Sequence, residues 1–423
     1  MKKYVLLITL FLGATFAQAQ DLDNIKKMII LQQFEKVKPD IDSYLNNEKN
    51  AAKAEGWYYK AYVYQSLGRV ATKSIAERKA LLQGSFDAIK KYAALDPKAT
   101  LTTEETNGTV FNMYYAFDDL GIKAYTDKNT EESYDLFKKA LEVHDYVIQN
   151  NLTGYKGFKF SALDTSMVWN LAILANELKK KDEALIYYKQ IADADLQQEK
   201  YASAYDALIL KYKAEKNAEL FNKYLTAAKK YYPIDKAYWE GLQIDYAIKG
   251  LENEALINKF EELTNTLPDN YYVFYNYGVE LDRFVNSAES KGKDIVVYKQ
   301  KTEDAFKKAI AINSSIEANL QLASIYYSRS FDAIEQAARI KGTKPAEVKL
   351  KNELTATGKE SMNKCVPYAE TALKLLAALK EYKFSDKVNY KLALEILANA
   401  AKQNGNAAKV AEYNKQRDAV DKL

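Results

Sequence analysis

The sequence predicts an all-α chain built of repeated helix pairs. Three observations predict it. Between Met167 and Ile191 the chain reads MVWNLAILANELKKKDEALIYYKQI, with small residues Ala172 and Ala184 flanked by Leu171, Ala175, Tyr188 and Ile191. Apolar residues at helical spacing on both sides of a polar turn specify two short antiparallel helices, and the alanines let their backbones approach. Gly (15) and Pro (6) are too few for a linker-rich chain of 423 residues. No strand-length alternation flanked by turns is found.

Related units recur on both sides of this one. The residue expected at each first-helix crossing is small or apolar where the pattern holds: Ala61, Gly121, Ala172, Ile209, Gln243, Gly278, Ala323 and Ala398. The central members follow one another at 37, 34 and 35 residues, the period of helix-turn-helix repeats. Wider gaps mark insertions, at 69–83, 285–302 and 328–364. All three are charged and rich in helix formers. They are expected to extend helices past the edge of the solenoid, with a break near Gly342 and Pro345. Asn406–Leu423 reads as a polar amphipathic helix, as the end of a repeat array requires.

Individual positions resemble the tetratricopeptide repeat family. Trp57, Ala61, Tyr64 and Gly68 match its first helix; Ser133, Phe137 and Ala140 match its second. Tyr205, Leu208, Tyr212, Leu225, Ala228 and Pro233 match a further unit, as do Trp239, Leu242, Tyr246, Gly250, Ala255 and Pro268. Tyr277, Gly278, Phe306 and Ala309 match another, and Gly405 marks the last turn. Gln243 and Ile209 depart from the family's preference for Gly or Ala. The resemblance implies a right-handed superhelical solenoid over residues 20–423 whose first helices line a concave, partner-binding face.

The N-terminus carries a different signal. Lys2 and Lys3 precede an apolar run, Val5–Phe16, and Ala17-Gln18-Ala19 is a small-x-small cleavage site. Residues 1–19 are expected to be a signal peptide cleaved after Ala19, since the run is too short to span a membrane. With no Cys after it, a lipid anchor is not expected. The chain is thus expected in the periplasm or outside the cell, as an exported bacterial protein.

Charge and chemistry narrow the function. The formal charge of +4 falls to +2 without Lys2 and Lys3. That balance does not suggest nucleic acid as partner. His144 is the only histidine; with no identifiable nucleophile it is expected to be a partly exposed helix residue. Cys365, the only cysteine, lies after Lys364 near an expected helix start and is expected to be a small buried residue at a crossing. One His and one Cys far apart in sequence supply no zinc site, and neither calcium nor phosphate loops are present. No metal and no cofactor are implied. Carboxylates are plentiful enough for a glycosidase pair, but acids scattered over helical surfaces are the normal background.

The 34 Tyr are a further signal. Trp57, Tyr64, Tyr188, Tyr212, Trp239 and Tyr246 fall between helices, as core. One step round the first helix lie Tyr58, Tyr62 and Gln65, then Asp118 and Tyr125, Trp169 and Asn176, Asp206 and Lys213, Glu240, Tyr275, Asp282 and Arg283, and Tyr327. Aromatic residues with polar neighbours are what a binding groove uses; padding of wide helix junctions would use the same tyrosines. No Lys occupies the leading positions Tyr58, Asp118, Trp169, Asp206, Glu240 and Tyr275, so capture of a free carboxylate is disfavoured. The expected role is a non-catalytic scaffold that binds a protein or peptide, with Tyr58, Tyr62, Tyr125, Trp169, Asn176, Lys213, Tyr275, Arg283 and Tyr327 in its groove. A glycan-binding helical-repeat protein is the alternative.

Overall fold

A computed structural model describes residues 21–97, 104–152 and 154–422, the side chains of 104–106 excepted. The expected signal peptide lies outside the described residues. Those described form nineteen α-helices and no strand, with one isolated bridge between Tyr155 and Phe158. The chain is an all-α helical-repeat solenoid. It divides into two compact units at Ile234.

The first unit opens with α1 (Leu22–Ile30), α2 (Phe34–Leu45) and the single-turn α3 (Glu48–Ala51). Four hairpins follow: α4 (Ala54–Gly68) with α5 (Ile75–Leu95), α6 (Glu104–Thr126) with α7 (Thr130–Gln149), α8 (Thr165–Glu177) with α9 (Lys181–Asp193), and α10 (Ala202–Ala214) with α11 (Ala218–Tyr231). The second unit has four more: α12 (Lys236–Ile248) with α13 (Asn253–Thr266), α14 (Tyr271–Val285) with α15 (Ile295–Ile312), α16 (Ile316–Arg339) with α17 (Pro345–Ala377), and α18 (Phe384–Gln403) with α19 (Ala407–Ala419).

Each of the eight expected crossing residues falls in the first helix of one hairpin. Ala61, Ala172, Ile209 and Ala323 are wholly buried, and Gly121, Gly278 and Ala398 are buried too. Two crossings share a hydrogen bond: Ser85 Oγ donates to the Ala61 carbonyl at 2.7 Å, and Ser133 Oγ to the Gly121 carbonyl at 2.8 Å. The exception is Gln243, half-buried in α12, with Ala255 exposed in α13. A long polar side chain cannot seat itself where two backbones meet.

The turns repeat as well. Lys128, Lys179, Lys216, Gly250 and Gly405 all have positive φ, and each lies seven residues after its crossing residue. The next amide closes the turn on a carbonyl five residues back in four of them: Asn129 to Ala124, Lys180 to Ala175, Asn217 to Tyr212, and Asn406 to Ala401. This is the Schellman closure of a helix C-terminus. The three remaining hairpins are those with insertions.

Two insertions behave differently from expectation. Residues 69–83 do not project. Arg69–Ser74 forms a loop and Ile75–Gln83 the start of α5, where Leu81 and Leu82 are buried and the Arg78 Nε donates to the Gly68 carbonyl at 2.9 Å. Enough of this charged segment is apolar for it to fold back onto α4. In 285–302, Tyr298 packs its ring on Phe284 at 4.8 Å and Thr302 is buried. In 328–364 both helices do run on, joined where Ser330 Oγ donates to the Gly358 carbonyl, and break at 340–344 before Pro345.

Candidate functional site

The site lies on the first helices of three consecutive hairpins in the first unit: α6, α8 and α10. Seen from the crossing residues Gly121, Ala172 and Ile209, three rows of side chains repeat. Three residues before the crossing stand Asp118, Trp169 and Asp206. One residue after it stand Ile122, Ile173 and Leu210. Four residues after it stand Tyr125, Asn176 and Lys213. Positions −3, +1 and +4 share one helix face.

The +1 row was not read from the sequence. Ile122 is 54% exposed, Ile173 39% and Leu210 43%, large apolar residues left in water at one position of three units. Helical periodicity absorbs them into the wide apolar stripe of each helix. The signal that distinguishes them is their place next to the crossing, on the side away from the second helix.

Between α6, α7 and α8 this row opens into a cleft of about 360 Å³. Ile122, Tyr125, Trp169, Asn170 and Ile173 line it, over a floor of Phe137 and Leu174. Tyr125 is 54% exposed. Trp169 is half-buried, with its ring 5.1 Å from Tyr201 and 6.0 Å from Tyr188. Two residues expected in the groove therefore meet in one cleft. Asn176 is exposed and Lys213 half-buried on the same face.

Asp118 has an unusual setting one helical turn before Ile122. Its carboxyl is pushed up to about 6, first by burial and then by the charges of Asp164 and Asp119. Asp164 caps α8 and accepts from the Tyr114 hydroxyl at 2.5 Å. Asp119 pairs with Arg78 at 3.1 Å.

The other expected groove residues are distributed elsewhere. Tyr58 is half-buried, its ring 5.1 Å from Tyr59 and 5.8 Å from Tyr92. Tyr62 meets Phe34 edge-on at 5.9 Å. Gln65 is buried rather than in the groove. In the second unit Tyr275 stacks on Tyr271 at 5.6 Å, Arg283 pairs with Glu280, and the Tyr327 hydroxyl accepts from Asn399 at 2.7 Å. Glu240 also leaves the expected face: it is buried and accepts from Asn270 Nδ2 at 2.7 Å. Asp282 lines a smaller crevice of about 160 Å³ with Asn286, Lys299, Gln321 and Arg329.

His144 is buried, not partly exposed. Its Nε2–H donates to the Ser161 carbonyl at 2.9 Å, and Nδ1 lies 3.1 Å from the Asp145 carboxylate. Burial opposes the charge, yet these acceptors raise the pKa and favour the imidazolium. His144 pins the α7–α8 connection. Cys365 lies inside α17 rather than near a helix start. It is wholly buried, with burial pushing its thiol up to about 12.

Among the described residues no group of His, Cys, Asp and Glu is arranged to hold a metal ion. No helix among them is long and apolar enough to cross a membrane.

The repeated crossing, the turn seven residues later and the paired helices are those of a helix-turn-helix repeat. The chain is an all-α helical-repeat protein. No family model matches it, and no curated protein matches it in sequence. Among solved structures it is similar to a TPR repeats protein from Bacteroides fragilis, at 15% identity over 67% of this chain and 97% of that one, with a TM-score of 0.25. A thermophilic TPR protein from Thermus thermophilus is 15% identical over 58% of this chain and 98% of that one, with a TM-score of 0.15. Naa15/Naa10 bound to HypK matches at 14% identity, covering 95% of this chain and 70% of that one, with a TM-score of 0.18.

Proposed function

We propose that this chain is a non-catalytic scaffold that holds a segment of a partner protein on the face formed by α6, α8 and α10. The observation that carries this reading is the row Ile122, Ile173 and Leu210, exposed at the same offset in three hairpins, with Ile122 and Ile173 lining the Tyr125–Trp169 cleft. Contiguous apolar surface rimmed by polar residues is the mark of an interaction site. Preformed helices supply it without an ordering cost on the scaffold side.

The compartment belongs to the same proposal. Lys2, Lys3, the run Val5–Phe16 and Ala17-Gln18-Ala19 support export, so the partner would be a component of a cell-envelope assembly. Intact-mass measurement of protein from its native source should find a chain beginning at Gln20. An uncleaved chain would refute export.

The binding role is tested by affinity capture from envelope extract with the native chain and with Ile173→Lys side by side. One protein recovered in stoichiometric amount by the native chain and lost with the variant is the expected result. Retention on immobilised polysaccharide, insensitive to Ile173→Lys, would replace the reading with glycan binding.

A further inference from the structure

Both ring nitrogens of His144 face oxygen atoms that cannot donate. Nε2 meets the Ser161 carbonyl at 2.9 Å and Nδ1 the Asp145 carboxylate at 3.1 Å. A neutral imidazole has one N–H to give, an imidazolium two. Only the imidazolium satisfies both contacts, at a side chain left 1% exposed. The neighbouring charges agree in sign. Asp145 stands next to it on α7, and Asp164, the cap of α8, adds a second negative charge. From α6 the facing group is Tyr114, whose ring lies 6.5 Å away and whose hydroxyl is engaged by Asp164. Burial pushes the ionisation of that phenol far up, so it stays neutral. Burial also opposes the charge on His144, but the two acceptors and Asp164 outweigh it.

The Ser161 carbonyl belongs to the connection between α7 and α8. In the same segment the Phe160 ring lies flat on Phe111 at 4.4 Å and edge-on to Tyr114 at 4.7 Å. Phe160 is half-buried, whereas 156–159 and Ser161 and Ala162 are exposed. A short segment in water on its outer side, held down through a ring and a carbonyl, opens at low cost when either hold weakens.

We propose that His144 is a proton-operated latch on this connection: the imidazolium holds residues 155–163 down onto α6 and α7, and loss of its proton lets the segment lift away from Phe111 and Tyr114. Deprotonation leaves one N–H for two acceptors. Asp145 is more than half exposed and can turn to water. The Ser161 carbonyl then keeps a neutral bond, and charge-assisted hydrogen bonds are roughly twice as strong as neutral ones. The hold is complete below the unfolded histidine value of about 6.5 and is lost as the pH rises through the higher folded value. The segment is therefore tight in mild acid and loose in mild alkali, whatever the α6–α8–α10 face binds.

The test uses the full chain. With one histidine in the sequence, ring-nitrogen NMR of the histidine-labelled protein reads His144 alone. Both nitrogens should be protonated at pH 7, and the titration midpoint should lie above the ordinary histidine value. Hydrogen exchange read by mass spectrometry then compares the native chain with His144→Gln at about pH 6 and about pH 9, labelling times being scaled for the intrinsic rate. The Gln amide can give the Ser161 carbonyl a neutral bond at either pH. Residues 155–163 should exchange several-fold more slowly in the native chain at the lower pH and alike in the two proteins at the higher one, with the α10–α11 hairpin unchanged throughout. A ring that is neutral at pH 7 would overturn the latch in the native protein alone, whether or not the variant folds. An imidazolium whose loss leaves exchange of 155–163 in the native chain unaltered would overturn the coupling to the segment.

Discussion

Gly121 lies so close to Phe137 that a Cβ on the glycine would come within 2.6 Å of the ring. This contact is the crossing of α6 and α7 reduced to two residues. Phe137 is only 4% exposed, so the ring cannot swing into water. Gly121→Ala should overpack the site by about 1–3 kcal/mol, less about 1 kcal/mol gained because Ala favours a helix over Gly. Gly241 in α12 has nothing within 4 Å of such a Cβ. There Gly241→Ala should raise stability by about 1 kcal/mol. Urea denaturation of both variants should move the midpoint in opposite directions; a shared direction would mean that propensity outweighs contact at the crossing.

The turns give a second prediction. Lys179 and Lys216 hold φ of 60° and 56°, where Gly250 and Gly405 serve the same position in their own units. A left-handed non-glycine residue costs about 1–2 kcal/mol. Lys179→Gly and Lys216→Gly should each stabilise the chain by about 0.5–1 kcal/mol, glycine's greater freedom in the unfolded chain offsetting the rest. Lys179→Val, branched at Cβ, should do the reverse. Thermal melts of the three variants check the order.

Asp118 makes stability depend on pH. Below about pH 3 its carboxyl is protonated in the folded and the unfolded chain alike and contributes no difference. As the pH rises from there, the unfolded chain ionises first, because the folded carboxyl holds its proton until about 6. Folding stability falls through that interval and stays lowered above it. Asp118→Asn should therefore be more stable than the native chain at pH 7, by about 1 kcal/mol after allowance for solvent at a half-buried site. The gain should vanish below about pH 3. Equal denaturation midpoints at pH 7 would remove the electrostatic argument for this residue.

The fold was legible because the crossing residue obeys a steric rule that sequence displays directly. Ala61, Gly121, Ala172 and Gly278 are small where two backbones meet, and they mark their hairpins in the sequence itself. The groove was less legible, since its residues obey no such rule. Ile122 and Ile173 look like core by periodicity, and only the rotation of α6 and α8 in the fold leaves them in water. Glu240 and Gln65 failed in the opposite sense. Each shares a heptad-like offset with groove residues, yet neighbouring elements close over it, and for Glu240 the Asn270 amide makes burial tolerable. Segment 69–83 misled through its charge; Leu81 and Leu82 decide its course.

The groove itself separates from the core by two measurements on the same variants. Trp239 is 2% exposed, so Trp239→Ala should cost about 3–5 kcal/mol of stability. Tyr125 and Ile173 stand in the open, and surface changes there should shift stability by no more than about 0.5 kcal/mol. If they anchor the partner, Tyr125→Ala or Ile173→Lys should still remove about 2 kcal/mol of binding, an affinity loss of around thirtyfold. Trp169 belongs to both sets. Its ring packs on Tyr188 and Tyr201 and also lines the cleft, so Trp169→Ala should lose melting temperature and affinity together. Thermal melts beside equilibrium binding with a captured partner resolve the three classes. Should Tyr125→Ala and Ile173→Lys bind as tightly as the native chain, the exposed row is ordinary surface, and the partner must be sought away from the α6–α8–α10 face.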